Sequence, residues 1–228
     1  SAVLGCTFGE AAAPKESRRI VQALIKECID VCATGGITMN KKNAEPYLSR
    51  YLHNKGARLG LPVSGNFELT ARCNFSCPMC YVHSAENDGG SLAKELTAEQ
   101  WIELARQAKD QGMVFVLLTG GEPFSHPQFR QIMEGLHRLG LLISINSNGT
   151  LIDESTVAWL KECPPVRINI SLYGASDETY AQLCGNPVGF TQTVNAIRLL
   201  KEAGISVKLN CSLTPYNAKD LPQMAAFA

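Results

Sequence analysis

The sequence predicts an α/β fold built on a parallel sheet, and three observations predict it. Short runs rich in Val, Ile, Leu and Phe recur from residue 66 onward. Each is separated from the next by a segment with helical spacing of its apolar residues. Gly112, Gly140 and Gly204 fall where three of those helical segments should stop. Strand–helix units repeated at this length return each strand parallel to the last through a right-handed crossover. Five units fit, which leaves an open or partial barrel, or a doubly wound sheet. A full eight-stranded barrel typically needs about 250 residues, more than the 228 of this chain.

Residues 1 to 62 read as a helical lead-in. Ser17 caps a helix expected from Arg18 to Cys32, in which Ile20, Leu24 and Ile25 share an apolar face, and Gly35-Gly36 ends it. A second short helix is expected from Ala44 to His53. Gly60-Leu61-Pro62 then punctuates the chain and its character changes. Strands follow at 66–70, 113–118, 141–146, 166–172 and 205–213. Helices are expected at 97–111, 126–139, 153–161 and 189–203, with a last one starting near Lys219. Thr97 and Gln100 form a capping box for the first of these. The closing run Leu221 to Ala228 breaks off inside a helical pattern, and the expectation is a piece of a longer protein.

Composition narrows the function classes. With 45% apolar and 18% charged residues the chain has ample material for a core, so wholesale disorder is excluded. Its 21 basic and 21 acidic residues give no net charge, which argues against a general nucleic-acid binder. The longest apolar run, Met113 to Leu118, is far too short to span a bilayer, so no membrane association is expected. Nine cysteines, an odd number scattered along the chain, do not suggest a disulfide framework. No charged-then-apolar signal segment opens the sequence. The expectation is a soluble protein of the reducing cytoplasm, where clustered cysteines mean metal.

Parallel α/β architectures place their sites at the carboxyl ends of the strands, and the unusual residues of this chain all fall there. Cys73-Asn74-Phe75-Ser76-Cys77-Pro78-Met79-Cys80 follows the first strand and Thr119-Gly120-Gly121-Glu122-Pro123 the second. Ser147-Asn148-Gly149-Thr150 follows the third, Ser171 to Gly174 closes the fourth, and Thr214 to Asn217 the fifth. Three thiols spaced by three and then two residues can wrap one metal centre, and thiolates suit iron–sulfur clusters, zinc or Cu(I). No fourth cysteine lies nearby. A four-iron cluster would keep one iron open; a zinc site would be completed by His83. The two glycines let a ligand approach the backbone, and a carboxylate beside strand-end amides suits an ammonium group.

The Cys73/Cys77/Cys80 spacing with Gly-Gly-Glu-Pro after the next strand resembles the radical S-adenosylmethionine superfamily, over about Asn66 to Tyr216. The resemblance implies a partial (β/α)6-type TIM barrel over 63–228, preceded by a small helical N-terminal extension over 1–62. It implies that Cys73, Cys77 and Cys80 hold a [4Fe-4S] cluster. The open iron of that cluster takes S-adenosylmethionine, which is cleaved to methionine and a 5′-deoxyadenosyl radical that abstracts hydrogen from a substrate. By position, Met79 packs near the adenine, Gly120, Gly121 and Glu122 receive the methionine amino group, Ser171 lies near the ribose and carboxylate, and Asn148 with Gly149 faces the same cavity. The implied electron donor is a flavodoxin or ferredoxin.

Two positions depart from the family pattern. Cys184 stands before Gly185 where many relatives carry an arginine, and Tyr173 stands where Ser-Leu-Asp-Gly is common. The overall pattern is most similar to the SPASM-type, peptide-modifying and molybdenum-cofactor-biosynthesis-type members, which implies a peptide or protein substrate. The C-terminal cysteines of the SPASM type do not occur in these 228 residues. No residue is singled out as acid, base or nucleophile. The competing reading is a non-catalytic module holding structural zinc or a redox cluster. An electron-carrier ferredoxin fails on ligand count, because its clusters use four cysteines. Cys28 and Cys32, four apart on one helix face, read as packing, and Cys6, Cys163, Cys184 and Cys211 as small apolar residues. Lys208 and Asn210 on the fifth strand point to substrate contact or to a buried hydrogen-bond pair.

Overall fold

The structure is a computed structural model that describes residues 47–80, 82 and 95–228. The expected helix from Arg18 to Cys32, Cys6, Cys28, Cys32 and His83 lie outside the described residues. Helix α1 (Tyr47–Leu59) leads into strand β1 (Ser64–Thr70), and the alternation then runs α2 (Ala98–Asp110), β2 (Phe115–Gly120), α3 (Phe129–Arg138), β3 (Leu142–Ser147) and α4 (Glu154–Glu162). It continues through β4 (Arg167–Ser171), α5 (Asp177–Cys184), α6 (Gly189–Glu202), β5 (Val207–Asn210) and α7 (Leu221–Phe227).

Five parallel strands form one open sheet in the order β1-β2-β3-β4-β5. A doubly wound sheet reverses its strand order at a switch point. This one never reverses, which selects the partial-barrel alternative. Alternate residues separate the two faces. Phe67, Leu69, Val116, Leu118, Ile143, Ile145, Ile168, Ile170 and Leu209 are buried in the main core with Trp101, Ile132, Leu136, Leu160, Ala196 and Leu200 from the helices. The opposite face is polar: in register across it stand Asn146, Asn169 and Lys208, and one step on Ser171 and Asn210. Asn169 Nδ2 donates to Asn146 Oδ1 at 2.7 Å, so part of that polar row is satisfied within the sheet.

The helix ends follow the local chemistry. Thr97 and Gln100 make the reciprocal bonds of a capping box. Asp153 and Ser176 cap α4 and α5. Residues 126–128 stay outside α3 because Pro123–Ser125 form a short 3-10 turn after β2, and His126 Nδ1 accepts from Gln128 N at 3.1 Å. Helix α5 is absent from the expectations above. It has only eight residues, and its one strong signal is Ser176 followed by Asp177 and Glu178 in the first turn. Among the described residues no helix is long and apolar enough to cross a membrane.

Candidate cofactor-binding site

The cysteine loop leaves the end of β1 and is pinned at several points. Gly121 N donates to Thr70 O at 2.8 Å and Glu122 N to Arg72 O at 2.7 Å, so the loop starts by running against the end of β2. This close approach explains the two glycines. A Cβ on Gly120 would stand 2.4 Å from Thr70 O, and one on Gly121 would stand 2.2 Å from Arg72 O. Gly120 also has φ 125°, a conformation side chains rarely adopt. The sequence argument reserved this space for a ligand; the loop's own backbone occupies it.

Further along, Asn148 Nδ2 donates to Asn74 Oδ1 at 2.8 Å and Asn74 Nδ2 to Thr150 Oγ1 at 2.7 Å, which ties the loop to the end of β3. Ser76 N donates to Cys184 O at 2.9 Å and ties it to the last turn of α5. The Phe75 ring meets Tyr180 edge-on, with centroids 6.1 Å apart. Arg72 pairs with Glu95 at 3.0 Å, closing the base of the segment that carries the three cysteines, and Thr70 Oγ1 also donates to Glu95.

Cys73, Cys77 and Cys80 come together in a second, smaller apolar cluster. Phe75, Cys77, Tyr180, Leu183 and Cys184 are its buried members, and Cys73, Met79, Cys80 and Tyr173 pack against them. Phe75 N lies 3.4 Å from the Cys73 sulfur and donates to it, as backbone amides do toward ligand thiolates. Burial pushes the Cys73 thiol up to about 11, and the nearby Glu122, Cys77 and Cys80 add to this. The side-chain hydrogen bond with Cys184 pulls Cys77 down and pushes Cys184 up. A half-buried thiol such as Cys73 gives up its proton most readily to a bound cation, so its surroundings favour a metal over a free thiolate.

The donor set fits an iron–sulfur centre: three soft sulfurs, an amide bonded to one of them, and apolar walls. Among the described residues no group of three or more His, Cys, Asp or Glu is gathered to hold a single metal ion. Ligands of a four-iron cluster each bind a different iron and stand farther apart than ligands of one ion.

Glu122 is fully buried, and its carboxylate accepts from Ser147 Oγ at 2.9 Å, Asn148 N at 2.7 Å and Phe124 N at 3.2 Å. Burial raises it to about 7, against those three bonds, which lower it. The side chain therefore stitches the end of β2 to the end of β3. Asn148 donates its amide N–H to Glu122 and its side-chain N–H to Asn74, and its carbonyl accepts from Thr193 Oγ1 of α6 at 3.1 Å. Ser171 closes β4, where its carbonyl accepts from Tyr180 Oη at 3.4 Å; the same hydroxyl accepts from Tyr173 N at 3.1 Å. The next turn is held from beyond β5, with Asp220 accepting from Ala175 N at 2.9 Å and Asn217 Nδ2 donating to Tyr173 O at 3.0 Å.

The structure thus gathers Cys73, Cys77, Cys80 and Met79 in one apolar cluster, with Gly121, Glu122 and Asn148 bonded to the loop that carries them or to one another. Ser171 stands beyond them at the end of β4, joined to the pocket through Tyr180. Sequence reasoning passed over Ser147, Asn74 and Tyr180. Ser147 and Asn74 sit within segments it singled out, and Tyr180 belongs to the helix it did not expect. Cys163 and Cys184 are buried as small apolar residues should be, while Cys211 packs at the core edge.

The family model described as Radical SAM superfamily matches residues 67–228. A second model, ketopantoate reductase PanE/ApbA C terminal, matches residues 1–62. The sporulation killing factor maturation protein SkfB of Bacillus subtilis (strain 168) is 32% identical over 178 residues, which are 78% of this chain and 42% of SkfB. The antilisterial bacteriocin subtilosin biosynthesis protein AlbA of the same organism is 30% identical over 166 residues, 72% of this chain and 36% of AlbA. The chain therefore spans about two fifths of the length of these relatives. Streptococcus suis SuiB, solved with its precursor peptide SuiA, superposes with a TM-score of 0.64 at 20% identity, over 92% of this chain and 50% of SuiB. The same protein solved with S-adenosylmethionine superposes with a TM-score of 0.63. These structural likenesses bear on the fold. The family assignment rests on the match over the sheet and its loops together with the identity to SkfB and AlbA: the chain belongs to the radical SAM superfamily.

Proposed function

We propose that the chain holds a [4Fe-4S] cluster through Cys73, Cys77 and Cys80, binds S-adenosylmethionine beside it, and acts on a peptide or protein in an oxidoreductase-type modification. One observation carries this reading. The three thiols lie in or against one apolar cluster on the loop after β1, and the backbone of that loop is bonded to the Gly120-Gly121-Glu122 turn after β2. When bound, the cluster supplies one electron that cleaves the sulfonium of S-adenosylmethionine, giving methionine and a 5′-deoxyadenosyl radical that takes hydrogen from the substrate.

The chain's own residues position and balance charge. Apolar side chains bury Cys77 and pack against the half-buried Cys73 and Cys80. A buried carboxyl raised to about 7 is starved of a cation, so an ammonium group placed beside Glu122 restores its ionised form. Met79, half-buried against the thiol pocket, offers a polarisable surface to an adenine ring. Asn148 and Ser171 present polar groups at the ends of β3 and β4, where ribose and carboxylate oxygens would lie.

The printed functions of SkfB and AlbA, in maturation and biosynthesis, and the precursor peptide on SuiB support the peptide substrate. The S-adenosylmethionine on SuiB supports the second cofactor. The electron comes from a reduced flavodoxin or ferredoxin, in a reducing cytoplasm. The family matches at 1–62 and 67–228 support a division of the chain into an N-terminal extension over 1–62 and a barrel core over 63–228.

The test is anaerobic reconstitution with iron and sulfide, then dithionite and S-adenosylmethionine, with 5′-deoxyadenosine as the product measured. The parent should form it, and a variant with Cys73, Cys77 and Cys80 changed to alanine should not. Uptake of zinc with no uptake of iron would overturn the reading.

A further inference from the structure

The charged residues of the five strands are Glu68 on β1, Arg167 on β4 and Lys208 on β5. Each alternates with core residues (Phe67, Leu69, Ile168 and Leu209), so all three stand on the polar face of the sheet. The two cations are neighbours there. Lys208 is in register with Asn169, and Arg167 lies two residues before Asn169 on the same strand. At about 4.8 Å between strands and about 3.3 Å per residue, their Cα atoms stand about 8 Å apart, within reach of two long side chains. Arg167 Nε donates to Asn169 Oδ1 at 2.9 Å, and Asn169 Nδ2 donates to Asn146 Oδ1 at 2.7 Å. Both amide oxygens are thereby engaged within the sheet, and the row turns N–H groups outward. Among the described residues neither Arg167 nor Lys208 has an ion-pair partner, and half-buried Lys208 has no side-chain hydrogen bond.

We propose that Lys208 and Arg167 form an anion subsite that takes a carboxylate of the peptide substrate, either an Asp or Glu side chain or the peptide's own C-terminus. This rests on the peptide reading above. A half-buried ammonium has lost part of its water without gaining a counter-charge, and a carboxylate beside it restores that loss. Arg167 spends its Nε on Asn169 and keeps its terminal N–H groups for the second carboxylate oxygen. Glu68 does not compete. Three strands separate it from Lys208, about 19 Å along the sheet, beyond the screening length of about 8 Å at physiological salt. The depth also suits a substrate anchor. Ser171 and Asn210 pair at the carboxyl ends of β4 and β5, and Asn169 and Lys208 stand two residues earlier, about 7 Å deeper. A side chain that reaches down to Lys208 leaves its own backbone near the strand ends, the level of the proposed cofactor contacts.

The experiment is affinity selection of a random-sequence synthetic octapeptide library on the anaerobically reconstituted protein with S-adenosylmethionine, read by mass spectrometry, so that no turnover is needed. The library is made twice, with a free C-terminal carboxylate and with a C-terminal amide. Enrichment of Asp and Glu from the amidated library identifies the side chain as the source. Enrichment of the free form without regard to Asp or Glu identifies the chain end. Lys208→Met should lose the preference and Lys208→Arg should keep it, with circular dichroism and iron content confirming that each protein is folded and loaded. For one selected peptide, replacing its carboxylate by the amide should weaken binding to the parent about ten- to a hundredfold, the range of a charge-assisted hydrogen bond. The same replacement should change little in Lys208→Met. A parent that does not discriminate carboxylate from amide, or a folded Lys208→Met protein that still does, would overturn the subsite. Capture of no peptide by an iron-loaded parent would overturn the peptide reading and the subsite with it. A parent that takes up no iron would overturn the cluster assignment, while its selected peptides would still report on Lys208.

Discussion

Gly121→Ala is the substitution whose cost the structure defines most sharply. The new Cβ would meet Arg72 O at 2.2 Å, Arg72 C at 2.7 Å and Ala71 O at 2.8 Å, all of them backbone atoms with no side-chain freedom to yield. To restore an ordinary contact the loop must retreat by about 1 Å, an over-packing strain of about 1–3 kcal/mol. That retreat also opens the Glu122 N to Arg72 O bond and strains the Gly121 N to Thr70 O bond, at about 1 kcal/mol each. The sum is about 3–5 kcal/mol, a large part of a domain's stability of about 5–15 kcal/mol. Gly140→Ala is the control: its φ of 74° makes alanine unfavourable but nothing lies within 4 Å, so only the left-handed conformation costs, at about 1–2 kcal/mol. Urea unfolding of the cofactor-free proteins measures both. Cys73 adjoins Arg72, so iron uptake on reconstitution should fall in Gly121→Ala and not in Gly140→Ala. A Gly121→Ala protein no less stable than Gly140→Ala would refute the close-approach account.

Two further outcomes are expected. Glu122 is raised in the folded protein from 4.5 to about 7, so the folded state binds the proton more tightly than the unfolded one. Its contribution is fully present below pH 4.5 and is lost as pH rises through about 7, by roughly 3 kcal/mol at 1.36 kcal/mol per pKa unit. Unfolding of the cofactor-free protein at pH 5 and pH 8 should show this loss, and Glu122→Gln should flatten it; parallel curves for the two proteins would sink the argument. Tyr180→Phe removes the hydroxyl that accepts from Tyr173 N and donates to Ser171 O. Leaving those backbone groups unpaired should cost about 1–3 kcal/mol, read from the shift of the urea midpoint, and a cost below about 0.5 kcal/mol would show that water replaces the hydroxyl.

Much of this molecule is written in residue spacing. The five strands are legible because each is a short apolar run between turn residues, and their ends lie within three residues of the expected ones. β5 shows the largest trim: the run 205–213 pairs only over Val207–Asn210, since strand pairing depends on β4, which stops at Ser171. The thiols and the Gly-Gly-Glu turn are legible as chemistry. What was not legible is which partner each would meet. A Cβ on Gly120 or Gly121 would meet the backbone of Thr70 or Arg72, which lies about 50 residues earlier in the chain, and no local pattern reveals that close approach. Glu122 reads as a carboxylate suited to an ammonium group, and nothing in the sequence shows that it is fully buried and accepts from Ser147 and Asn148 at the end of the next strand. Helix α5 was missed because eight residues carry too few apolar repeats to show a period. With it went the role of Tyr180, and the surroundings of Cys184.

The unbroken strand order has a consequence for how the protein is made. Every strand pairs with the one synthesised just before it, so the sheet can extend from one edge as the chain leaves the ribosome. The cysteine loop belongs to the first strand, whereas its anchor at Cys184 O belongs to α5, which emerges roughly 100 residues later. At about 5–20 residues per second, the three thiols wait on the order of ten seconds before the platform beneath them exists. The loop that carries the three thiols is thereby completed late in biogenesis, only once α5 has emerged to receive it.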